Sequence, residues 1–329
     1  MAQTVTQAFN EFNKDIVNLD ADRTKTARSS RDWLINQLNQ FPLKIDDFPT
    51  LYESKHIKFG SFARNTKIRP LDDIDLFLTF NANGATYLKS LLHTNTYSIT
   101  VPESALSLRK LCDGNELNSI KVVNKIVSSL SKVDHYKNAA IHRRQEAATL
   151  ELSSYEWKFD IVPAFITVDD FYLIPDGNGK WKATDPRIDQ NRVSEINQKH
   201  NGKILQIIRT LKYWQKRPTM PTISSYLFET IILNYYDNKS DVTDYVDFEI
   251  RDFFNELQYA IYSSVMDPKG FQGELNTLDY DTKKKISDLA KNSYDKANLA
   301  IYYETKEKDM QKSINKWGEI FGSDFPSYG

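Results

Sequence analysis

Apolar residues recur at helical spacing at the start of the 329-residue chain. Val5, Phe9, Phe12 and Ile16 lie three or four positions apart, which places them on one face of an amphipathic helix. A second helix is predicted over residues 23–40. The beginning of the chain is therefore expected to be helical.

Further along, the pattern alternates between strand and helix. Short runs rich in β-branched or aromatic residues predict strands, and longer periodic segments predict helices. The predicted strands lie around Asp73 and over residues 97–101, 147–152, 157–162 and 171–174, and the predicted helices cover residues 85–93 and 118–133. Residues 175–181 have the composition of a hairpin turn that joins two short strands.

After Pro186 the periodicity is almost wholly helical. Helices are predicted over residues 189–200, 203–217, 224–236, 244–264, 280–303 and 306–321. The pattern predicts an α+β protein in three parts: N-terminal helices (residues 1–45) that bridge the rest, a mixed half (residues 46–185) with a mixed sheet and helices, and an α-helical lobe (residues 186–329). We expect a bilobed molecule with a central cleft, where ligands commonly bind.

Composition and charge narrow the classes of protein that fit this pattern. Hydrophobic residues make up 40% of the chain and aromatic residues 12%, which is enough for a sizeable core. The net charge of -1 argues against a protein that coats long nucleic acids, because such binding depends on neutralising phosphates. The single cysteine, Cys112, excludes a disulfide framework and a multi-cysteine zinc site. Without an apolar run of transmembrane length or a signal-peptide core, we expect a cytoplasmic protein that does not bind membranes.

Two aspartates stand two positions apart within residues 60–78. Asp73 and Asp75 alternate with Ile74 and Leu76, so on a strand the carboxylates share one face while the apolar side chains point into the core. Neighbouring carboxylates repel each other unless a cation lies between them, and a divalent metal that also binds a triphosphate supplies that cation. The pair therefore predicts Mg²⁺, for which Mn²⁺ can substitute.

A third aspartate, Asp160, lies between Phe159 and Ile161 on another predicted strand. Three acids on adjacent strands can hold two metal ions about 4 Å apart, which clamp the attacking hydroxyl and the triphosphate oxygens of an in-line displacement. Asp160 is the expected acceptor of the hydroxyl proton.

A Gly-Ser pair precedes the aspartates. Gly60 and Ser61 are predicted where a strand passes into a helix, so that free backbone N–H groups and the Ser61 hydroxyl face incoming phosphates. Alone, a Gly-Ser pair is an ordinary loop and two aspartates are an ordinary solvated strand end. Their order and spacing, followed by Asp160, favour a metal-dependent nucleotidyltransferase.

These motifs resemble those of the DNA polymerase β-like nucleotidyltransferases, and within that superfamily the bacterial CD-NTases, relatives of cyclic GMP-AMP synthase and oligoadenylate synthase. Residues 203–214 and 223–229 are similar to the helix-loop-helix of that family that binds the triphosphate, with Lys212 and Ser225 as the matching residues. Residues 317–326 are similar to the C-terminal end of many CD-NTases. The resemblance implies a polymerase β-like catalytic palm for residues 46–185.

Helical spacing supports Lys212 without the resemblance. One face of the predicted helix is apolar, which leaves Arg209, Lys212 and Lys216 on another face. No acidic residue interrupts the basic ones over residues 199–217, which suits a polyanion. A solvated basic face is the alternative for Lys212, and a helix N-cap is the alternative for Ser225.

The resemblance implies a cyclic oligonucleotide synthase. Asp73, Asp75 and Asp160 would hold two Mg²⁺ ions, while Gly60, Ser61, Lys212 and Ser225 bind the nucleoside triphosphate, which is expected to be ATP, GTP or both. The product would be a cyclic di- or trinucleotide, with cyclic di-GMP as one candidate. It would act as a second messenger in anti-phage (CBASS) signalling by binding a separate effector protein, and the enzyme is expected to be a monomer.

Two other functions stay open at this point. One is a terminal nucleotidyltransferase acting on RNA, of the polyadenylating, CCA-adding or oligoadenylate-forming type. The near-neutral charge and the lack of an evident RNA-binding extension argue against it. The other is a nucleotide-binding regulator that has lost catalysis, and the presence of all three aspartates argues against that.

Overall fold

The computed structural model describes all 329 residues and has the predicted α+β architecture. The helices are α1 (Val5–Phe12), α2 (Ala21–Asn39), α3 (Phe41–Lys44), α4 (Gly60–Ala63), α5 (Leu106–Arg109), α6 (Ser119–Leu130), α7 (Pro186–Lys199), α8 (Ile204–Gln215), α9 (Ser225–Asn238), α10 (Val246–Ala260), α11 (Tyr280–Tyr302) and α12 (Met310–Phe321). The strands are β1 (Ile57–Phe59), β2 (Asp73–Thr79), β3 (Thr86–Lys89), β4 (Tyr97–Thr100), β5 (Cys112–Asp113), β6 (Glu116–Leu117), β7 (Ala140–Arg144), β8 (Ala147–Glu151), β9 (Lys158–Ile166), β10 (Tyr172–Pro175) and β11 (Trp181–Thr184). No helix is both long enough and apolar enough to cross a membrane.

Side-chain caps fix where the main helices begin. The Asp20 side chain accepts a hydrogen bond from the backbone N–H of Arg23 at the start of α2, and Asn118 caps α6 in the same way. At the start of α7, Asp185 is the cap and Pro186 occupies the first turn, where its missing N–H costs nothing. These residues satisfy backbone donors that would otherwise have no partner.

The mixed half is organised around the parallel pairing of β2 with β9. Strand β1 pairs antiparallel with the other edge of β2. The edge of β9 that faces away from β2 pairs with β8 along its first half and with β10 at its end. From β10 the strand order of the sheet continues through β11, β4, β6 and β5. Because β2 and β9 run side by side in the same direction, residues at equal register lie next to each other on the same face.

Two large apolar clusters form the core, one in each half of the molecule. The first is built mainly from α8 to α12 and also contains Ala2, Val5, Phe9 and Phe12 from the N-terminal segment. The second lies in the mixed half and contains other N-terminal residues, among them Ala27, Leu34, Leu38 and Phe48. The N-terminal segment is thus divided between both cores.

One predicted helix is wrong, and several short strands were missed. Residues 85–93 were predicted as a helix, but Thr86–Lys89 form β3, which pairs with β4. The apolar spacing there comes from Leu88, Leu91 and Leu92, which are exposed and belong to no core. The strands β5, β6 and β7 carry mostly exposed or polar residues, so they give no alternating apolar signal.

Candidate active site

The carboxylates form a row across adjacent strands. Asp75 on β2 pairs in register with Asp160 on β9, and Asp73 pairs with Lys158. Along β2, Asp73 and Asp75 are partly exposed while Ile74 and Leu76 are buried, as the alternation predicts. The fold therefore brings all three predicted aspartates to one face of the sheet.

Gly60 lies directly against Asp75. Phe59, the last residue of β1, pairs with Asp75, and the chain then enters the short helix α4 through Gly60 in the left-handed region, with φ of 76°. A Cβ atom at position 60 would lie 1.9 Å from Asp75 Oδ2. Only glycine allows this approach without displacing the carboxylate. Ser61 follows as the second residue of α4, partly exposed.

Neighbouring side chains hold two of the three carboxylates. The Lys67 ammonium forms ion pairs with Asp72 and Asp73. Thr149 on β8 donates a hydrogen bond of 2.6 Å from Oγ1 to Asp160 Oδ1, and Lys158 Nζ lies 3.5 Å from Asp160 Oδ2. Asp75 has neither an ion pair nor a hydrogen bond from another side chain. Of the three aspartates, it is therefore the one whose negative charge is least compensated.

The donor set fits a divalent metal. Burial, together with the charges of Asp73 and Asp160, raises the pKa of Asp75 to about 7. The side chains as they stand do not form a closed group of three metal ligands. Carboxylate oxygens are nevertheless the ligands that Mg²⁺ and Mn²⁺ prefer, and a cation beside Asp75 would offset the repulsion that its neighbours impose.

Comparison with known proteins assigns the chain to a family. The chain is 49% identical to a probable cyclic nucleotide synthase of Bacillus cereus (strain VD146), and the match covers 100% of this chain and 99% of that protein. The chain belongs to the bacterial CD-NTase family. It is also 22% identical to cyclic AMP-AMP-AMP synthase of Escherichia coli (strain MS 115-1), over 95% of each chain. No family model matches the chain.

The fold of this CD-NTase is similar to that of a solved member of the family. Vibrio cholerae DncV cyclic AMP-GMP synthase, in complex with nonhydrolyzable GTP, superimposes with a TM-score of 0.69 over 99% of this chain and 98% of that chain, at 13% identity. The predicted fold class is confirmed, and so is the predicted activity: this CD-NTase is a nucleotidyltransferase that synthesises a cyclic oligonucleotide. Nucleotidyltransferases of this kind generally use divalent metals.

Lys212 of this CD-NTase takes part in a buried charge cluster. The cluster, which we call the Glu229 cluster, consists of Arg64, Thr66, Lys212 and Glu229. Glu229 on α9 is only 3% exposed and accepts hydrogen bonds from Arg64 Nε at 2.8 Å, Thr66 Oγ1 at 2.9 Å and Lys212 Nζ at 3.0 Å. Burial opposes its charge, but Arg64 and Lys212 outweigh burial and lower the pKa of Glu229. Because Arg64 and Thr66 belong to the mixed half, the cluster joins that half to the helical lobe.

Ser225 and the neighbouring aromatic residues occupy different environments. Ser225 is the first residue of α9 and is exposed, and the N-cap is its neighbour Ser224, whose side chain forms no capping hydrogen bond. The Tyr226 hydroxyl bonds to Asp189 and Asp267, and Lys269 Nζ lies 4.0 Å from the centre of the Tyr226 ring. Tyr226 is therefore committed to a charged network and has little free ring surface for stacking on a base.

Sequence reasoning missed Lys67, Thr149, Lys158 and Glu229. Thr149 comes beside Asp160 only through strand register, which sequence spacing does not show. Lys158 lies two residues before Asp160 on the same strand, so the spacing did contain that signal. Glu229 did leave a signal, because it is the one charged residue within the apolar run over residues 227–233. A lone acid on a buried helical face requires a partner, since an unpaired buried carboxylate is strongly unfavourable.

Proposed function

We propose that this CD-NTase carries out nucleotidyl transfer at Asp73, Asp75 and Asp160 and closes the product into a cyclic di- or trinucleotide. The observation that carries the proposal is the in-register pairing of Asp75 with Asp160, with Gly60 packed against Asp75. This arrangement combines carboxylates that can bind a cation with a glycine whose lack of a side chain lets a ligand come close to the backbone. It suits the transfer of a nucleotidyl group to a ribose hydroxyl, in which the hydroxyl oxygen bonds to the α-phosphorus while the bond to pyrophosphate breaks and pyrophosphate leaves. In such a reaction the enzyme mainly positions groups and neutralises charge.

In the proposal all three aspartates bind metal, and Asp160 also accepts a proton. Asp73 and Asp75 hold the metal ions together with Asp160, and two bound Mg²⁺ ions would neutralise the triphosphate and activate the hydroxyl. Asp160 would accept the hydroxyl proton at Oδ2, which lies 3.5 Å from Lys158 Nζ, whereas Oδ1 already accepts a hydrogen bond of 2.6 Å from Thr149. Lys67 now pairs with Asp73 and would have to release it for Asp73 to hold a metal ion.

The donor triphosphate is bound from both sides of the cleft. Ser61 offers a hydroxyl without a protein partner at the start of α4, and Ser225 offers another at the start of α9. Lys212 donates one of its three N–H groups to Glu229 and the other two have no protein acceptor. Glu229 thereby fixes where the ammonium lies. Because the Lys212 side chain is only 5% exposed, the phosphate oxygens would have to approach this buried ammonium closely. The expected substrates are ATP and GTP.

The product is proposed to be a second messenger in anti-phage (CBASS) signalling that binds a separate effector protein. The proposed enzyme is a cytoplasmic monomer that neither binds long nucleic acids nor requires an RNA primer. Purine products are the first to test, with cyclic di-GMP among them, because the named relatives make cyclic AMP-AMP-AMP and cyclic AMP-GMP.

Incubation of the purified chain with all four nucleoside triphosphates and Mg²⁺, without RNA, tests the proposal. We expect phosphatase-resistant cyclic products, and mass spectrometry with one labelled triphosphate at a time assigns the bases and the ring size. The Asp73→Ala, Asp75→Ala double variant should make no product, whereas Asp22→Ala, which removes an exposed carboxylate on α2, should match the wild type. Activity that appears only with an RNA primer would overturn the proposal.

A further inference from the structure

A positively charged cavity lies beside the mixed half. It is separate from the residues proposed to bind the donor triphosphate. It has a volume of 260 Å³ and lies between α2, the turn after α4, and α8. Its lining includes Arg28, Lys67 and Arg209 but no acidic residue. Ser61, Lys212 and Ser225 do not line it. The cavity is large enough for one or two phosphoryl groups and too small for a whole nucleotide.

Two arginines in this cavity converge on one uncharged residue. Arg28 Nη2 donates to Asn65 Oδ1 at 3.1 Å, and Arg209 Nη1 donates to the Asn65 carbonyl oxygen at 2.7 Å. Arg209 Nε also donates to Asn18 Oδ1 at 2.6 Å. Asn65 has a left-handed backbone, with φ of 59°, a conformation that asparagine tolerates better than most residues.

Neither arginine has an acidic partner. The structure contains no salt bridge to Arg28 or Arg209, and burial lowers the pKa of Arg209 because no carboxylate opposes that effect. Lys67 is different, since Asp72 and Asp73 already compensate its charge. Two like charges held near one residue repel each other, and an anion between them removes that repulsion.

The hydrogen bonds of the two arginines leave donors free. Arg28 uses only Nη2, and Arg209 uses Nε and Nη1, so Nη2 of Arg209 and both Nε and Nη1 of Arg28 have no protein partner. If these hydrogen bonds served only to hold α2, α8 and the turn after α4 together, two uncompensated guanidinium groups would not be needed. Guanidinium groups bind phosphate oxygens in a fixed, often bidentate geometry, which makes them suited to this ligand.

We propose that this cavity is a second anion site, which binds a phosphoryl group through Arg28 and Arg209. The ligand class is inorganic phosphate or pyrophosphate, or the phosphate end of a nucleotide whose base remains outside the cavity. The site is distinct from the donor triphosphate site and does not depend on the proposed function.

Isothermal titration calorimetry of the full chain with sodium pyrophosphate tests the site. EDTA in the buffer removes divalent metals, so that the donor site binds the probe poorly. We expect saturable binding at low salt that weakens as salt is added. Arg28→Ala and Arg209→Gln should each weaken binding about tenfold, because each removes a charge-assisted contact, and the double variant should abolish it. The matched control is Lys25→Ala, which removes one exposed charge from the same helix and should bind within about twofold of the wild type.

Three results would overturn the inference. They are the absence of saturable binding to the wild type, a double variant that binds as well as Lys25→Ala, and a loss of binding in Ser61→Ala equal to that in Arg28→Ala, which would place the anion in the donor site. Arg28 is exposed on a helix, so its replacement by alanine keeps the fold and the test stands even if Arg209→Gln unfolds. Titration with ATP separates the two sources of phosphate: binding that the double variant loses assigns a nucleotide, and binding of pyrophosphate alone assigns a free anion.

Discussion

Asp75 and Glu229 are both largely enclosed carboxylates, but the protein treats them in opposite ways. Glu229 accepts three hydrogen bonds, two of them from cations, and its pKa is lowered. Burial and the charges of two other carboxylates raise the pKa of Asp75 to about 7, and the attraction of the more weakly acting Lys67 and Arg64 does not offset them. One carboxylate is satisfied by the fold and the other is left with a charge that the fold does not balance.

The difference separates a structural charge from a functional one. A buried carboxylate with its partners in place stabilises the arrangement around it, and removing it leaves those partners unpaired. A carboxylate left uncompensated costs stability, and that cost is retained where a ligand supplies the missing charge. The same chemical change, from acid to amide, should therefore have opposite consequences at the two positions.

The largest expected effect is on synthesis in Asp75→Asn. The change removes one metal ligand, and we expect product formation to fall by about a thousandfold, since metal ions contribute several kcal/mol of charge stabilisation. The melting temperature should stay the same or rise, because a repelled charge has gone. Initial rates by product chromatography and melting by circular dichroism measure both. A marked loss of stability would show that Asp75 is a structural charge like Glu229.

The second effect is on stability in Glu229→Gln. Arg64 and Lys212 would keep their buried charges without a counterion, and we expect the free energy of unfolding to fall by about 3–5 kcal/mol in urea titrations. Glu195→Gln, which removes an exposed carboxylate in α7, should change it by less than about 0.5 kcal/mol. Adding Lys212→Met to Glu229→Gln should recover part of the loss. Full stability in Glu229→Gln alone would contradict the comparison.

A smaller effect is expected from Gly60→Ala. The left-handed backbone costs about 1–2 kcal/mol for a residue with a Cβ atom, and that atom would also displace the Asp75 carboxylate. Gly202→Ala provides the matched control, because its φ is 83° and nothing lies within 4 Å of the added atom. Both variants should lose similar stability, but only Gly60→Ala should lose most of its synthesis. Equal rates in the two would mean that contact with Asp75 has no role.

The smallest effect is a pH dependence of stability in the metal-free protein. Asp75 has a raised pKa of about 7, so the folded state keeps a proton that the unfolded chain has released at lower pH. Its contribution to stability is therefore largest in acid and is lost as the pH rises through about 7. The melting temperature of the wild type should fall relative to that of Asp75→Asn between about pH 5 and about pH 8.5 in EDTA. A constant difference would show that the Asp75 charge is already compensated.

The sequence predicted the role and position of Asp75 but not the partners of Glu229, and the reason is physical. Alternation along a strand is local, so Asp73 and Asp75 could be assigned to one face before any fold was known. The contacts of Lys67 with Asp73, and of Thr149 with Asp160, depend on a turn and on strand register. Two partners of Glu229, Arg64 and Thr66, come from the turn after α4, more than 160 residues away in the sequence, and the third, Lys212, comes from α8. Lys212 was predicted as a phosphate ligand, but its engagement with Glu229 could only be seen in three dimensions.

The division of the N-terminal segment between two cores has a mechanical consequence. The segment over residues 2–17 is anchored in the helical lobe, and the chain then passes to the mixed half, where Ala27 is already buried, before it returns at Pro186. The polypeptide therefore crosses between the halves at two places. Two covalent connections restrict how the halves can move relative to each other more than a single connection would.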